Sequence, residues 1–168
     1  MSGYVKEQRT FLFRGKTLRT NKKEWMIATS VMCKREYVGQ QAHLVAHMFS
    51  IYDQQWYEVD SLTLGQYTGR KDKHGRGIFE DDIILVNNRY AKIVKYSEKE
   101  CAFMIANIHD LQNSQWMDIW QKPSSLWWDE FADSIEVIGN IHDDPEMLEE
   151  GFDFDSCKNK EDDTSTTE

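Results

Sequence analysis

The stretch L-G-Q-Y-T-G-R-K-D-K-H-G-R-G-I-F-E-D-D-I-I, residues 64–84, decides the fold. Four of the nine glycines of the chain lie in it, between a short β-prone run and the apolar run at residues 83–86. Because glycine accepts backbone conformations that other residues avoid, the segment predicts sharp turns between strands. Carboxylates beside these glycines are expected to accept hydrogen bonds from turn amides. The candidate turn residues are Asp72, Gly75, Glu80 and Asp82.

Two carboxylates of this stretch, Glu80 and Asp82, have the potential for acid–base chemistry. Strand alternation directs both to one side, where Arg70, Lys71 or Arg76 could pair with them across the turn. Neither a nucleophile nor a metal-ligand pattern accompanies them, and acid–base catalysis needs such a partner. We therefore interpret them as structural groups and predict no catalytic residue and no enzyme activity.

The glycines do not form a known ligand-binding motif. A phosphate-binding loop needs G-x-x-x-x-G-K-[ST], a dinucleotide site needs G-x-G-x-x-G, and an EF-hand needs acids two and four residues after Asp72. None of these patterns is in the sequence. We predict no cofactor and identify no small-molecule substrate.

Short β-prone runs recur along residues 11–108 and return at residues 135–141. Their spacing is typical of a small barrel or sandwich. Two of the runs flank an Asn-Asn-Arg turn at residues 87–89, which predicts a tight hairpin because Asn tolerates positive φ. Residues 15–23 are expected to form a basic turn region.

The segment at about residues 110–133 predicts short helices instead. Ser124 or Ser125 could cap a helix that runs to Phe131, and the first two Trp residues, four apart, would share a helix face. Four Trp residues within thirteen are hard to bury in so small a domain. We therefore expect some of them at an interface, most simply with a second copy of the chain. The candidates are Trp116, Trp120, Trp127 and Trp128.

The net charge of −9 belongs to the C-terminal end of the chain. Residues 143–168 contain eleven acids and two lysines, whereas the remaining residues hold eighteen acids and eighteen bases. We expect disorder from about Lys158, because the sequence there is acidic and polar. At the other end, residues 1–35 carry nine Lys and Arg against two Glu, a balance that could face a polyanion.

Basic residues beside aromatic ones could contact nucleic acid. The loop at residues 70–76 is rich in Lys and Arg and is flanked by Tyr67 and Phe79. A solvated loop kept soluble by its charge is the alternative, and the sequence leaves both open. The candidate contacts are Arg14, Lys16, Arg70, Lys71, Lys73 and Arg76.

His43 and His47 are the residues to consider for a metal site, since they lie four apart and would share one face. A zinc site needs three or four ligands. Cys33, His109 and Asp110 could complete one only if the fold brings them close. Because no ligand spacing of a known site is present, we predict no bound metal.

Three widely spaced Cys residues, with no CxxC motif, indicate reduced thiols. The sequence has no charged-then-apolar leader at its start and no apolar run long enough to cross a bilayer. These features predict a cytoplasmic protein without a membrane partner.

Three sequence blocks resemble the YopX family. F-R-G-K at residues 13–16, followed by E-W, resembles its N-terminal pattern. Q-Y-T-G, D-K-H-G and I-F-E-D-D-I-I within residues 66–84 resemble its central block, and I-E-V-I-G-N-I with D-P-E-M-L within residues 135–148 resembles its C-terminal block. Asp81 stands where the family usually has Gly, and Asp accepts left-handed geometry at low cost. The Trp-rich insert has no clear family counterpart.

The resemblance implies a protein of phages or prophages with an SH3-like barrel, oligomeric and without assigned enzymatic activity. We predict a mainly β fold: an N-terminal β region at residues 1–62, an SH3-like barrel region with the Trp-rich insert at residues 63–150, and an acidic tail at residues 151–168. The leading hypothesis is an accessory protein that acts by binding and by forming a homo-oligomer. The alternatives are a nucleic-acid-binding protein of phage DNA metabolism and a metal-dependent hydrolase.

Overall fold

The chain is mainly β in the computed structural model and divides into two compact units between Gly69 and Arg70. The structure describes residues 10–18, 23–38, 40–113, 119–149 and 151–154. The start of the predicted disorder, at Lys158, lies outside them. Among these residues, no helix combines the length and the apolar character needed to span a membrane.

The first unit contains two antiparallel sheets, with strand orders β2-β1-β6 and β3-β4-β5. A short 3-10 turn at Ser61–Thr63 follows β5, and the side chain of Asp60 caps it. Strand β6 carries the chain into the second unit. The strands are β1 (Phe13–Lys16), β2 (Trp25–Ala28), β3 (Val31–Val38), β4 (Gln41–Ser50), β5 (Gln55–Val59) and β6 (Gly65–Lys71).

Gly15 lies inside β1, which corrects the expectation that it begins a basic turn. The residue is buried, and a Cβ atom on it would lie 3.1 Å from Met48 Sδ and 3.3 Å from the Val59 side chain. Met48 and Val59 belong to the core of this unit, together with Ala28 and Ala46. Glycine suits this position because another part of the chain approaches closely.

The second unit is built on a four-stranded antiparallel sheet with the order β10-β9-β8-β11. Two short helices and two 3-10 turns, at Ala132–Ser134 and Pro145–Leu148, accompany it. The last residues of β6 form a hairpin with β7. The elements are β7 (Gly77–Phe79), β8 (Asp82–Val86), β9 (Tyr90–Ser97), β10 (Ala102–Asn107), α1 (Ile108–Asn113), α2 (Ser125–Glu130) and β11 (Ile135–Asn140).

All five residues of β8 are buried, because the sheet has a core on each face. Ile84 and Val86 point to one cluster, which includes Ile135 and Trp128. Ile83 points to the other cluster, formed with Ile108 and Met147. This two-sided burial explains why residues 83–86 of β8 are all apolar rather than alternating.

Two local predictions are confirmed. Asn87 and Asn88 have φ of 53° and 51° and connect β8 to β9 as the tight turn expected from their side chains. Ser124 caps α2 by accepting a hydrogen bond from Trp127 N at 3.1 Å. A third prediction is wrong: α1 ends at Asn113, and Trp120 lies in no helix.

None of the sheets closes into a barrel within the described residues, which corrects the expectation of a closed barrel. Closure would require β10 and β11 to pair with each other, but both outer edges face other segments. Ile135 O of β11 accepts a hydrogen bond from Lys73 N at 2.8 Å. Ile105 of β10 forms an isolated bridge with Gln121.

Candidate binding surface

Asp72 is the centre of the turn that joins β6 to β7. Its side chain is fully buried and accepts four hydrogen bonds. They come from His74 N at 3.0 Å, Arg76 N at 2.8 Å, Arg76 Nε at 2.8 Å and Val137 N at 3.2 Å. Burial alone would raise the pKa of Asp72, but the hydrogen bonds from Val137 and Arg76 and the Arg76 charge hold it below its usual value. A carboxylate so occupied shapes the turn and has no room for a substrate.

Gly75 completes this turn. Its φ is +81°, and its N–H donates to Asp72 O at 2.9 Å. A residue with a Cβ would be strained in this left-handed conformation even though the surrounding space is open. The spacing D-x-x-G thus serves the backbone of the turn.

Glu80 and Asp82 bind backbone amides. Glu80 Oε1 accepts from Tyr96 N at 3.1 Å, and the buried Asp82 accepts from Phe79 N at 2.7 Å. The sequence left open ion pairs of these two acids with Arg70, Lys71 or Arg76. Arg76 pairs with Asp72, a partner that the sequence alone did not single out.

Asp81 adopts the left-handed conformation that the glycine of the family pattern suggests, with φ of 66°. Its carboxylate lies 3.0 Å from His142 Nε2, and its carbonyl accepts from Ile141 N at 3.1 Å. Asp at this position therefore keeps the turn and adds a contact to the segment after β11.

Carboxylates lie beside three cations of the basic loop at residues 70–76. They are side chains of the second unit itself, so much of the positive charge of the loop is balanced locally. Lys71, at the end of β6, is exposed. The ion pairs are Arg70–Asp129 at 2.8 Å, Lys73–Glu136 at 2.5 Å and Arg76–Asp72 at 2.8 Å.

Arg14 and Lys16 stack on one aromatic ring in the first unit. The Arg14 guanidinium lies 4.7 Å and Lys16 Nζ 5.2 Å from the centre of the Trp25 ring. Both cations lie on β1 and Trp25 on β2, opposite Lys16 in the register. This arrangement links the F-R-G-K and E-W blocks of the sequence through cation–π contacts.

His43 and His47 both lie on β4, opposite Glu36 and Met32 of β3. Four strand residues span ~13 Å, so their rings share a face but not a metal ion. Within the parts of the chain that the structure describes, no three metal-ligating side chains cluster. The geometry therefore gives no support to a metal-dependent hydrolase.

Of the four Trp residues considered for an interface, Trp128 is buried and Trp127 packs on the same core. Their rings meet edge to face with centres 5.0 Å apart. Trp120 is half-buried and lines a cavity of about 250 Å³. Trp116 lies outside the described residues.

The most exposed strand residues in the part of the chain that the structure describes lie in the outer half of the β3–β4 hairpin. Every residue at positions 32–37 and 41–44, hereafter the hairpin arm, is exposed, so both faces of the arm are uncovered. Tyr37 is 68% exposed and Leu44 55%. Strand β5 pairs with β4 only as far as Ala46, so the arm extends beyond the sheet.

One face of the arm continues the core of the first unit. Residues opposite each other in an antiparallel pair share a face. Cys33 lies opposite Ala46, Arg35 opposite Leu44 and Tyr37 opposite Ala42. Ala46 is buried in the core, so an apolar stripe runs from the core out into solvent. Sequence reasoning missed this surface, although the β-prone residues at positions 25–32 and 37–38 indicated a strand.

A cleft of about 760 Å³ on the first unit is also largely apolar. Its walls include Trp25 and Phe49 together with three strongly exposed side chains, Ile27, Ile51 and Tyr52. The first unit thus exposes several large apolar side chains, as interaction surfaces do.

The fold defines a mainly β protein of two units, and comparison with known proteins gives its family. The family model described as YopX protein matches residues 12–149, and the chain belongs to this family. The chain is also similar to the crystal structure of protein EF1440 from Enterococcus faecalis, with 22% identity and a TM-score of 0.42 over 83% of this chain and 98% of that chain. No curated protein gives a significant match.

Proposed function

We propose that this YopX-family protein is a phage- or prophage-encoded accessory protein that acts in the host cytoplasm by binding, beginning with self-association, rather than by catalysis. Family membership supports the phage origin and an SH3-like character of the second unit. The free thiols of Cys33 and Cys101 are compatible with a reducing compartment. The observation that carries the proposal is the hairpin arm, whose two faces are exposed along its whole length.

A two-stranded ribbon exposed on both faces is marginally stable in water. The arm also exposes Tyr37 and Leu44, which would gain from burial at about 25 cal/mol per Å² of apolar surface. Covering the stripe that continues the core would stabilise the arm and the unit together. We take a second copy of the chain as the partner, because the arm carries side chains of both charges, which can pair with the opposite charges on another copy.

The test is the solution mass, measured by light scattering on the full chain over a range of concentrations. We expect a mass of at least twice 19.9 kDa, falling to that of the monomer in the double variant Tyr37→Ser, Leu44→Ser. Both side chains are exposed, so the variant should fold. Leu126→Ser is the matched control, because Leu126 is 76% exposed but lies on α2. A monomer at every concentration would refute the proposal.

Nucleic-acid binding is a second candidate, favoured by the pair of cations that Trp25 holds. Two cations beside an indole ring suit the phosphates and bases of a single strand. Binding of a single-stranded oligonucleotide should weaken with salt, be lost in Arg14→Ala, Lys16→Ala, and survive in Arg70→Ala, Lys73→Ala. Binding that is absent at low salt, with and without residues 152–168, would exclude this function.

A further inference from the structure

We infer that two copies of the chain associate through antiparallel pairing of β3 with β3, with Arg35 at the two-fold axis. The inference rests on the proposed self-association and specifies its geometry. Among the described strands, β4 is the only neighbour of β3, so the other edge of β3 is open. An open edge is a template for a further strand.

The hydrogen-bond pattern limits the possible registers. Phe49 N donates to Ser30 O at 3.1 Å, which makes this pair a hydrogen-bonded one just before β3 begins. Bonding alternates along an antiparallel pair, so even-numbered residues of β3 bond toward β4. Odd-numbered residues therefore direct N–H and C=O groups to the open edge. Two such edges can pair only when odd-numbered residues face odd-numbered residues.

Charge selects one register among those that remain. When Arg35 faces its own copy, Lys34 faces the partner's Glu36, and the symmetry makes this pair twice. These are non-hydrogen-bonded positions, where opposite side chains come closest. Moving the two-fold axis by one residue in either direction, which shifts the paired strands by two, would place Lys34 against Lys34 or Glu36 against Glu36. The like-charge contact of the two Arg35 side chains is the single unfavourable pair in the chosen register.

The same register joins the apolar stripes of the two arms. The two-fold axis lies perpendicular to the sheet, so both stripes share one face. Cys33 then faces the partner's Tyr37, and Leu44 lies one strand behind Arg35. Lys34 Nζ and Glu36 Oε1 lie 2.6 Å apart within one chain and are about half exposed, so both are available to exchange partners.

Charge reversal with mixing tests the pairing between chains. Lys34→Glu alone and Glu36→Lys alone each place like charges opposite each other twice, and each should weaken self-association by about tenfold or more. An equimolar mixture of the two variants should associate again, because each mixed pair is complementary. The salt bridge within each chain stays broken in that mixture. A recovery of association in the mixture therefore reports contacts between chains.

Disulfide formation tests the register. In a chain with Cys33, Cys101 and Cys157 changed to Ala, Arg35→Cys should give a covalent dimer upon mild oxidation, since opposite Cα atoms ~5.5 Å apart suit a disulfide. Lys34→Cys is the control, because its two copies would be diagonal neighbours beyond ~7 Å. Faster cross-linking at residue 34 than at residue 35 would overturn the register.

The two proposals can fail separately. An oligomer whose mass is insensitive to charge reversal and whose Arg35→Cys variant does not cross-link would refute β3 pairing and leave self-association standing. A protein that is monomeric in light scattering at all concentrations would refute both. Recovery of mass in the mixture together with the Arg35→Cys cross-link would establish the inferred dimer.

Discussion

The β8–β9 hairpin and the β3–β4 hairpin have the same topology and opposite surroundings. Both turn within two or three residues, and both contain a strand of eight residues. The residues of β8 are all buried, whereas those at positions 32–37 of β3 are all exposed. The contrast shows that the burial of a hairpin depends on the elements that pack on its faces. Of these two hairpins, only β8–β9 is covered by other elements of its own unit.

The polar groups of the two hairpins differ in the same way. Around β8, buried carboxylates are occupied by backbone amides, as Asp82 is by Phe79 N. On the arm, Lys34 and Glu36 pair with each other at the surface. Exposed ion pairs contribute little to stability but can select a partner. Four variants or conditions can therefore test this difference between the covered and the exposed hairpin.

The largest effect is expected for Asp72→Asn in the covered unit. The amide has one acceptor oxygen in place of two, so two of the four N–H donors lose their acceptor, and Arg76 loses the charge of Asp72. Two N–H donors left without an acceptor cost about 4 kcal/mol together. The free energy of unfolding in urea measures this loss, and a loss below about 1 kcal/mol would show that water replaces the carboxylate.

Ile84→Ala should follow at about 3 kcal/mol, because Ile84 is fully buried on β8 and its removal leaves a cavity. Ile84→Val is the matched control and should cost about 1 kcal/mol. Urea denaturation followed by Trp fluorescence suits this test, since Trp128 packs in the same cluster. Equal stability of the two variants would mean that the core collapses around the smaller side chain.

The parts of this fold that follow from the sequence are those whose causes are local. Asn87 and Asn88 predict their own turn, and Ser124 predicts the start of α2, because each side chain acts on nearby backbone. Gly15 is different. It was expected in a turn but serves packing against Val59, a residue far along the chain.

Contacts between residues that are distant in sequence also explain why the candidate site was only partly predicted. Asp72 was expected to accept turn amides, and it does, but one of its donors is Val137, 65 residues away. The sequence near Asp72 contains no pattern that predicts this donor. The exposed arm likewise depends on where β5 stops pairing with β4, which the sequence of β3 does not encode.

Acid should produce a smaller effect, through Asp72 again. Its pKa is lower in the folded chain than the usual 3.8, so the unfolded state binds more protons as the pH falls. The stabilisation by the charged side chain is therefore complete above about pH 5 and is lost as the pH drops through the folded pKa. Unfolding free energies between pH 6 and pH 2.5, from wild type and Asp72→Asn, should converge toward acid. Parallel curves would mean that Asp72 does not titrate with unfolding.

Leu44→Ala should have the smallest effect on the isolated chain, within about 0.5 kcal/mol, because Leu44 is more than half exposed. Its effect should instead appear as a change in concentration dependence. If a second copy covers the arm, the urea midpoint of the wild type rises with protein concentration, because association stabilises the folded state by mass action. Leu44→Ala should reduce that rise, and Ile84→Ala should lower the midpoint at every concentration. A wild-type midpoint that is independent of concentration would show that no second copy covers the arm. The two hairpins would then differ in sequence, but neither would require a partner.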